Sequence, residues 1–143
     1  MKFMSARSFF DTNVLVYTDD LDAPGKQERA LALWQAQRAE GKAVVSIQVL
    51  QEYFWTATRK LSIDPSIAIE KLMLFAKADV MTPLADDVVL AARASADWKL
   101  SFWDTMIVQM ALRADCDVLF SEDMQDGRRF AGLEIVNPFT GYA

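Results

Sequence analysis

The stretch "FFDTNVLVY", residues 9–17, joins an apolar run to the polar triplet Asp11-Thr12-Asn13. Phenylalanine, valine and leucine in such density are typical of a strand in the middle of a sheet. An Asp directly after a strand is often a turn residue. The other interpretation is that Asp11 is a functional carboxylate placed against the core. The rest of the sequence is needed to decide between these two interpretations.

Apolar, β-rich segments alternate with helical segments along the chain. Five short, almost continuously apolar segments are expected to be parallel strands covered on both faces: Ser8–Asp11, Ala43–Ser46, Asp79–Met81, Val118–Phe120 and Leu133–Val136. Helices are predicted over 26–40, 47–62, 65–77, 85–98 and 103–114. This alternation predicts an α/β sandwich with right-handed crossovers. We expect a single domain over residues 1–143.

The composition excludes several classes of chemistry. The chain has no histidine, which rules out Ser-His-Asp and Cys-His catalysis and histidine-based zinc sites. Cys116 is the only cysteine, so an internal disulfide and a multi-thiolate zinc site are also excluded. No apolar stretch reaches the ~18 residues of a membrane span, and we see no secretion signal. We therefore expect a cytoplasmic protein without membrane association.

The net charge of −5, from 20 acidic and 15 basic residues, argues against a broadly basic nucleic-acid-binding surface. Carboxylates gathered around a cation would account for most of the acidic excess. Ligands of parallel sheets bind beyond the carboxyl ends of the strands, so the acidic residues there are of most interest. Asp11 closes the first strand, and Asp123 follows the fourth in "DVLFSED". Each, taken alone, also fits a turn residue.

Asp104 lies in "LSFWDTMIVQMA", at the start of a predicted helix. Ser101 and Asp104 fit a capping box loosely, which is a purely structural explanation. Yet Asp104 shares a face with Ile107, Val108 and Ala111, and that face should turn toward the sheet. A carboxylate at the head of an apolar stripe is partly desolvated and needs a partner.

Glu52 lies in "SIQVLQEYFWTATRKL", on a helix that directly follows the second strand. Helical spacing predicts that this helix buries Ile47, Leu50, Phe54 and Leu61. Glu52 then points nearly opposite, together with Gln48, Trp55 and Arg59, which is typical of a solvated face. However, the first turns of this helix begin at the same sheet edge as Asp11, so Glu52 can lean over that edge.

Four carboxylates at one edge would repel one another. Each like-charged pair at ~4 Å costs about 4 kcal/mol at the dielectric of a protein surface. Raised pKa values or a bound cation must relieve this repulsion. With neither histidine nor a set of cysteines, all-oxygen ligation selects Mg²⁺ or Mn²⁺. Such a site suits hydrolysis of a phosphodiester.

The order of these motifs resembles the PIN-domain family, and more narrowly its VapC-type toxin ribonucleases, over residues 7–138. The resemblance implies a three-layer sandwich with a five-stranded parallel sheet in the order 3-2-1-4-5. It also implies a catalytic quartet of Asp11, Glu52, Asp104 and Asp123. Asp11 and Asp104 would bind the metal directly, Asp123 would complete the metal site, and Glu52 and Asp123 would act through water. The supporting polar residues would be Asn13, Ser121 and Asp126. The fourth acid of the quartet is ambiguous, because Glu122 and Asp126 lie close to Asp123 in the sequence.

The same resemblance implies a Mg²⁺-dependent endoribonuclease that acts as the toxin of a toxin–antitoxin pair. Its partners would be an RNA substrate, a cognate antitoxin and a second copy of the chain. Weaker candidates for RNA contact are Trp55 and Arg59 beside Glu52, and Arg128 and Arg129 beyond Asp123. Each arginine is otherwise an ordinary solvated charge.

Other interpretations remain open. A PIN-type nuclease of RNA maturation, or a PIN-like RNA-binding or interaction module without turnover, would share most of the pattern. A phosphoacceptor receiver domain needs a lysine after the last strand, and "LEIVNPF" has none. A haloacid-dehalogenase-type phosphatase needs two acids two positions apart, where this chain has Asn13.

Overall fold

A six-stranded, mostly parallel sheet forms the centre of the computed structural model, which describes residues 6–143. The domain expected over 1–143 therefore begins outside the described residues. The strands are β1 Ser8–Phe10, β2 Ala43–Ser46, β3 Asp79–Met81, β4 Val118–Phe120, β5 Arg129–Phe130 and β6 Leu133–Val136. Their order is β3-β2-β1-β4-β6-β5. Every pairing except that of β5 with β6 is parallel, which confirms the predicted α/β class.

Six helices flank this sheet in the described part of the chain: α1 Thr12–Tyr17, α2 Pro24–Ala39, α3 Ile47–Arg59, α4 Pro65–Phe75, α5 Ala85–Trp98 and α6 Phe102–Arg113. Local signals set several ends. Asp64 caps α4 by accepting a hydrogen bond from the Ser66 amide, and Gly41 follows α2 with a φ of +70°, which glycine adopts without steric cost. No helix among residues 6–143 is both long and apolar enough to cross a membrane.

The sheet differs from the predicted five strands by one short strand. The five parallel strands stand in the expected order, because β6 takes the place of the predicted fifth. β5 then turns back along β6, with Arg129 opposite Glu134 and Phe130 opposite Leu133. Ala131 makes the tight turn with a φ of 52°. A two-residue strand is too short to show a sequence period, which explains why it was not predicted.

Helix α1 is the second element absent from the prediction. It begins one residue after β1 ends, and the Asp11 side chain caps it by accepting a hydrogen bond from the Thr12 amide at 2.8 Å. Val14 and Leu15 bury its inner face completely. Six residues rich in valine, leucine and tyrosine resemble a strand more than a helix in the sequence. Because the helix starts at once, Asp11 stays at the edge of the sheet.

The predicted buried face of α3 was right only in part: Leu50 and Phe54 are half-buried against the core, but the centre of the buried face lies elsewhere. Val49, Tyr53 and Ala57 are the fully buried residues, whereas Ile47 is exposed. The hydroxyl of Tyr53 donates a hydrogen bond to Asp19, so this polar side chain can be buried without losing its partner. With the helix rotated in this way, Glu52 lies at the border of the buried face and is only half-buried.

Candidate active site

The four acids predicted as the catalytic quartet line one pocket of about 570 Å³. Each comes from a different part of the chain: Asp11 follows β1, Glu52 lies in α3, Asp104 in the first turn of α6, and Asp123 follows β4. The other lining residues are Thr12, Asn13, Val16, Tyr17, Asp20, Trp55, Thr56, Lys60 and Glu122. Folding thus brings together carboxylates that are widely separated in the sequence.

Asp11 is the most buried of these acids, with 6% of its surface exposed. Its Oδ1 accepts a hydrogen bond from the Thr12 amide at 2.8 Å, and its Oδ2 accepts one from the Ser121 hydroxyl at 2.8 Å. Burial raises the pKa of Asp11 to about 7; these hydrogen bonds oppose the rise, and the charges of Asp104 and Asp123 add to it. The carboxylate is firmly oriented, yet its negative charge is poorly compensated.

Asn13 and Ser121 occupy the supporting positions that the resemblance implies. The Asn13 amide group donates to Asp11 Oδ2 at 3.2 Å and to Asp123 Oδ2 at 3.1 Å. Its Oδ1 accepts from the Glu122 amide at 3.1 Å. Ser121 is fully buried, and its hydroxyl oxygen also accepts from the Asp123 amide at 3.2 Å. These bonds fix the loop after β4 against the start of α1.

Glu52 and Asp104 approach from the two helices. Glu52 Oε1 accepts a hydrogen bond from the Thr12 hydroxyl at 2.7 Å, and Oε2 lies 3.4 Å from the donor nitrogen of Gln48. Ser101 caps α6 by accepting from the Asp104 amide at 3.1 Å, as the capping pattern predicted. Burial raises the pKa of Asp104, the charges of Asp123 and Glu52 raise it further, and the Ser101 hydroxyl opposes the rise.

The donor set of this pocket fits a hard cation that keeps part of its water shell. Among residues 6–143, no three Asp, Glu, Cys or His side chains form a ready-made metal cage. Mg²⁺ needs only one or two direct carboxylates and reaches other groups through bound water. Burial, and to a smaller extent the neighbouring acids, raises the pKa of Asp11 and Asp104, and a bound cation would favour their ionised forms.

The hydrogen-bond partners of Glu122 and Asp126 favour Asp123 as the fourth acid of the quartet. Glu122 accepts hydrogen bonds from Lys26 at 2.7 Å and Tyr17 at 2.6 Å. Its burial would raise its pKa, but these two partners outweigh burial and lower it. Asp126 accepts from the Asn137 amide at 2.8 Å and does not line the pocket. The charge of Glu122 is already paired, whereas Asp123 faces the other acids.

The candidate RNA contacts fall into two groups. Trp55 lines the pocket, and the Arg59 guanidinium lies 5.6 Å from its ring centre. Arg128 and Arg129 do not line it; Arg129 begins the edge strand β5, and Arg128 directly precedes that strand. There Arg128 donates to the Trp98 carbonyl at 2.6 Å, and Arg129 forms an ion pair with Glu134 at 2.8 Å.

Six residues that line the pocket were not identified from the sequence as site residues: Thr12, Val16, Tyr17, Asp20, Thr56 and Lys60. Thr12 orients Glu52, Tyr17 binds Glu122, and Lys60 brings a positive charge to the pocket wall. Thr12 and Tyr17 are the first and last residues of α1. The signal for that helix was present, since Asp11 is a good N-cap and Val14 and Leu15 follow at helical spacing.

Comparison with known proteins agrees with the fold. The PIN-domain family model matches residues 8–131. VapC20 of Mycobacterium tuberculosis, a sarcin–ricin loop cleaving toxin, has a TM-score of 0.67 at 17% identity over 81% of this chain and 89% of its own. A Klebsiella pneumoniae toxin–antitoxin complex has a TM-score of 0.65 at 17% identity, covering 92% of this chain and 98% of that one.

A third similar structure is DNA-bound VapBC from Salmonella typhimurium, with a TM-score of 0.64 at 16% identity over 91% of this chain and 96% of that one. At these identities the structural likeness concerns the fold. No curated protein sequence matches the chain. The family model, which spans most of the described residues, identifies the chain as a member of the PIN-domain family.

Proposed function

We propose that this protein is a divalent-metal-dependent endoribonuclease and the toxin of a VapBC-type toxin–antitoxin pair. The observation that carries the enzymatic part is the convergence of Asp11, Glu52, Asp104 and Asp123 on one pocket. The pKa values of Asp11 and Asp104 are raised, and clustered acids with perturbed pKa values are typical of functional sites. Membership of the PIN-domain family supports phosphodiester hydrolysis as the reaction.

Asp11 and Asp104 would hold Mg²⁺, or Mn²⁺ in its place, with Asp123 completing the site. The ion would supply a hydrolytic water and neutralise charge on the phosphate. Asp11 is suited to this role because Thr12 and Ser121 fix both of its oxygens. Asn13 keeps Asp123 beside Asp11 by donating to both carboxylates.

Glu52 is the group that we assign to proton transfer. The Thr12 hydroxyl occupies Oε1, whereas Oε2 has only a long contact from Gln48 at 3.4 Å. Oε2 can therefore accept the proton that water loses as its oxygen attacks phosphorus. The bond from phosphorus to the 3′-oxygen breaks, and that oxygen takes a proton from solvent. The products are a 5′-phosphate and a 3′-hydroxyl.

The test compares single amide substitutions on purified protein with an RNA substrate. We expect Asp11→Asn and Asp104→Asn each to abolish Mg²⁺-dependent cleavage while keeping the circular dichroism spectrum of the wild type. Asp97→Asn on the exposed face of α5 is the matched control and should keep full activity. Full activity of either site variant, or of the wild type in excess EDTA, would refute the metal-dependent mechanism.

The toxin assignment rests on the similar structures, two of which are toxin–antitoxin or VapBC assemblies. We propose a cognate antitoxin and a toxin homodimer as the protein partners. Co-expression with the product of a neighbouring small open reading frame should yield a complex that does not cleave RNA. Light scattering should give a dimeric mass for the free protein. A complex that still cleaves RNA would refute the antitoxin assignment. A monomeric mass would refute the homodimer.

A further inference from the structure

Asp104 differs from the other acids of the quartet in how its carboxylate is held. In the described part of the chain, no side chain from another element donates a hydrogen bond to this carboxylate. Each of the other three acids accepts a hydrogen bond from a side chain outside its own segment: Asp11 from Ser121, Asp123 from Asn13, and Glu52 from Thr12. The position of Asp104 therefore depends on the backbone before it, the α5–α6 junction of residues 98–103.

Arg128 fixes the beginning of the α5–α6 junction. Trp98 is the last residue of α5, and Lys99 ends the helix with a left-handed φ of 56°. The last carbonyls of a helix have no partner within it, and the helix dipole favours a cation beside them. The Arg128 guanidinium donates to the Trp98 carbonyl at 2.6 Å, and its Cζ lies 4.5 Å from the ring centre of Phe130. Arg128 therefore caps the C-terminus of α5.

The backbone of Arg128 is itself fixed to the sheet. Its carbonyl accepts a hydrogen bond from the Ile135 amide at 2.9 Å, and the Gly127 amide donates to the Ile135 carbonyl at 2.8 Å. Ile135 is a fully buried residue of β6. The loop that leads from β4 to Arg128 also carries Asp123. The Arg128 side chain thus ties the loop of one acid to the junction that precedes another.

Gln48 fixes the other end of the α5–α6 junction. Its side-chain nitrogen donates to the carbonyl of Trp103, the residue directly before Asp104, at 3.2 Å. The same nitrogen lies 3.4 Å from Oε2 of Glu52, one helical turn later in α3. Gln48 is half-buried and is not among the residues that line the acidic pocket. It therefore joins the helix of Glu52 to the first turn of α6.

We propose that Gln48 and Arg128 are positioning residues that set the place of Asp104 relative to the other three acids. Neither lines the acidic pocket, so each acts through the backbone of the α5–α6 junction and not on substrate or metal. The groups of a metal site must be held within about 0.5 Å of their working positions, and residues that orient ligands therefore affect affinity strongly. This inference rests on the proposed metal-dependent function and adds how Asp104 is brought to the site.

The first test measures Mg²⁺ affinity of the full chain by isothermal titration. Gln48→Met keeps the length of the side chain without its donor, and Arg128→Ala removes the guanidinium. We expect each to lower Mg²⁺ affinity by about 10- to 100-fold, the range for residues that orient ligands. Arg128→Lys retains a cationic donor for the Trp98 carbonyl and should recover most of the affinity. Gln51→Met and Arg129→Ala, at exposed neighbouring positions, are the matched controls and should bind Mg²⁺ as the wild type does.

Hydrogen exchange in the metal-free protein, followed by NMR, tests the positioning without any reaction. The Asp104 amide donates to the Ser101 hydroxyl, and the Thr105 amide donates to the Ser101 carbonyl. Both amides should exchange faster in Gln48→Met and Arg128→Ala, while the amides of the central strands keep their wild-type rates. Unchanged rates at these two amides, or faster exchange throughout the chain, would overturn the inference.

Cleavage of RNA distinguishes failure of this inference from failure of the proposed function. Gln48→Met and Arg128→Ala should need more Mg²⁺ to reach half of the maximal rate, with KM for RNA little changed. A raised KM with unchanged Mg²⁺ affinity would make Arg128 an RNA contact and overturn its positioning role. Unchanged Mg²⁺ affinity in both variants of an enzyme that cleaves RNA would overturn the inference alone. A wild type that neither binds Mg²⁺ nor cleaves RNA would refute the proposed function, whereas the exchange rates would still report whether the two residues hold Asp104.

Discussion

The burial of Asp11 should make the stability of the metal-free protein fall as pH rises through neutrality. Its pKa is about 7 in the folded chain, against an ordinary value of 3.8. The unfolded chain therefore releases this proton at lower pH than the folded chain does. The free energy of unfolding falls as pH rises above the pKa of Asp11 in the unfolded chain. The fall is complete once the pH exceeds the pKa of Asp11 in the folded chain.

The magnitude follows from the two pKa values. A rise from 3.8 to about 7 corresponds to about 4 kcal/mol, of which about 2.5 kcal/mol falls between roughly pH 5 and pH 8. No histidine adds to the change in this window, since the chain has none. The effect is a large fraction of the stability of a domain of this size.

The assay is urea unfolding in EDTA at a series of pH values, followed by circular dichroism. The wild type should lose about 2.5 kcal/mol more than Asp11→Asn between pH 5 and pH 8, and Asp97→Asn should follow the wild type. Comparing pH slopes removes any constant effect of the substitution, such as altered hydrogen bonds to Ser121. Equal slopes for the wild type and Asp11→Asn would refute a strongly raised pKa.

The same urea unfolding experiment can be repeated with Mg²⁺ in place of EDTA. A cation favours the ionised carboxylate, so Mg²⁺ should stabilise the wild type most at high pH and flatten its pH slope. Asp11→Asn should gain much less from Mg²⁺ at every pH. If both proteins gained equally, Asp11 would not be one of the groups that hold the ion.

Three further substitutions test separate parts of the site. Asn13→Ala removes the donor shared by Asp11 and Asp123, and isothermal titration should show Mg²⁺ affinity reduced by about 10- to 100-fold, as for other residues that orient ligands. Glu122→Gln should lower the free energy of unfolding by about 1 kcal/mol through loss of its ion pair, with Mg²⁺ affinity unchanged in the same titration. Tyr53→Phe should destabilise the fold by about 1–2 kcal/mol in urea, because Asp19 loses a buried donor.

The sheet could be predicted from the sequence because its strands are short, apolar and separated by clear helices. Four of the five predicted strands have the observed bounds, and the first differs only in that Asp11 lies just beyond it. Parallel strands bring their carboxyl ends to one edge, so a sequence that places acids after two neighbouring strands already specifies their proximity. That rule is sufficient to bring Asp11 and Asp123 to one pocket.

The sequence did not predict which side chains of α3 are buried, or which partners the charged residues bind. Helical periodicity assigned the buried face of α3 from its most hydrophobic residues, whereas Tyr53 can enter the core because its hydroxyl donates a hydrogen bond to Asp19. That tertiary hydrogen bond has no local signature. The engagement of Glu122 by Lys26, and of Arg129 by Glu134 across the β5–β6 hairpin, likewise depends on contacts that the local sequence does not reveal.

One of the two elements absent from the sequence prediction, helix α1, is the one that assembles the site. Helix α1 begins at Thr12, whose amide donates to Asp11 and whose hydroxyl donates to Glu52, so this single residue links the acid after β1 to the acid of α3. One residue later, Asn13 reaches Asp123 beyond β4. Had the chain continued as a strand past Asp11, successive side chains would alternate between faces and could not all turn toward one edge. The immediate start of a helix therefore explains both why the triplet is polar and why its aspartate is buried.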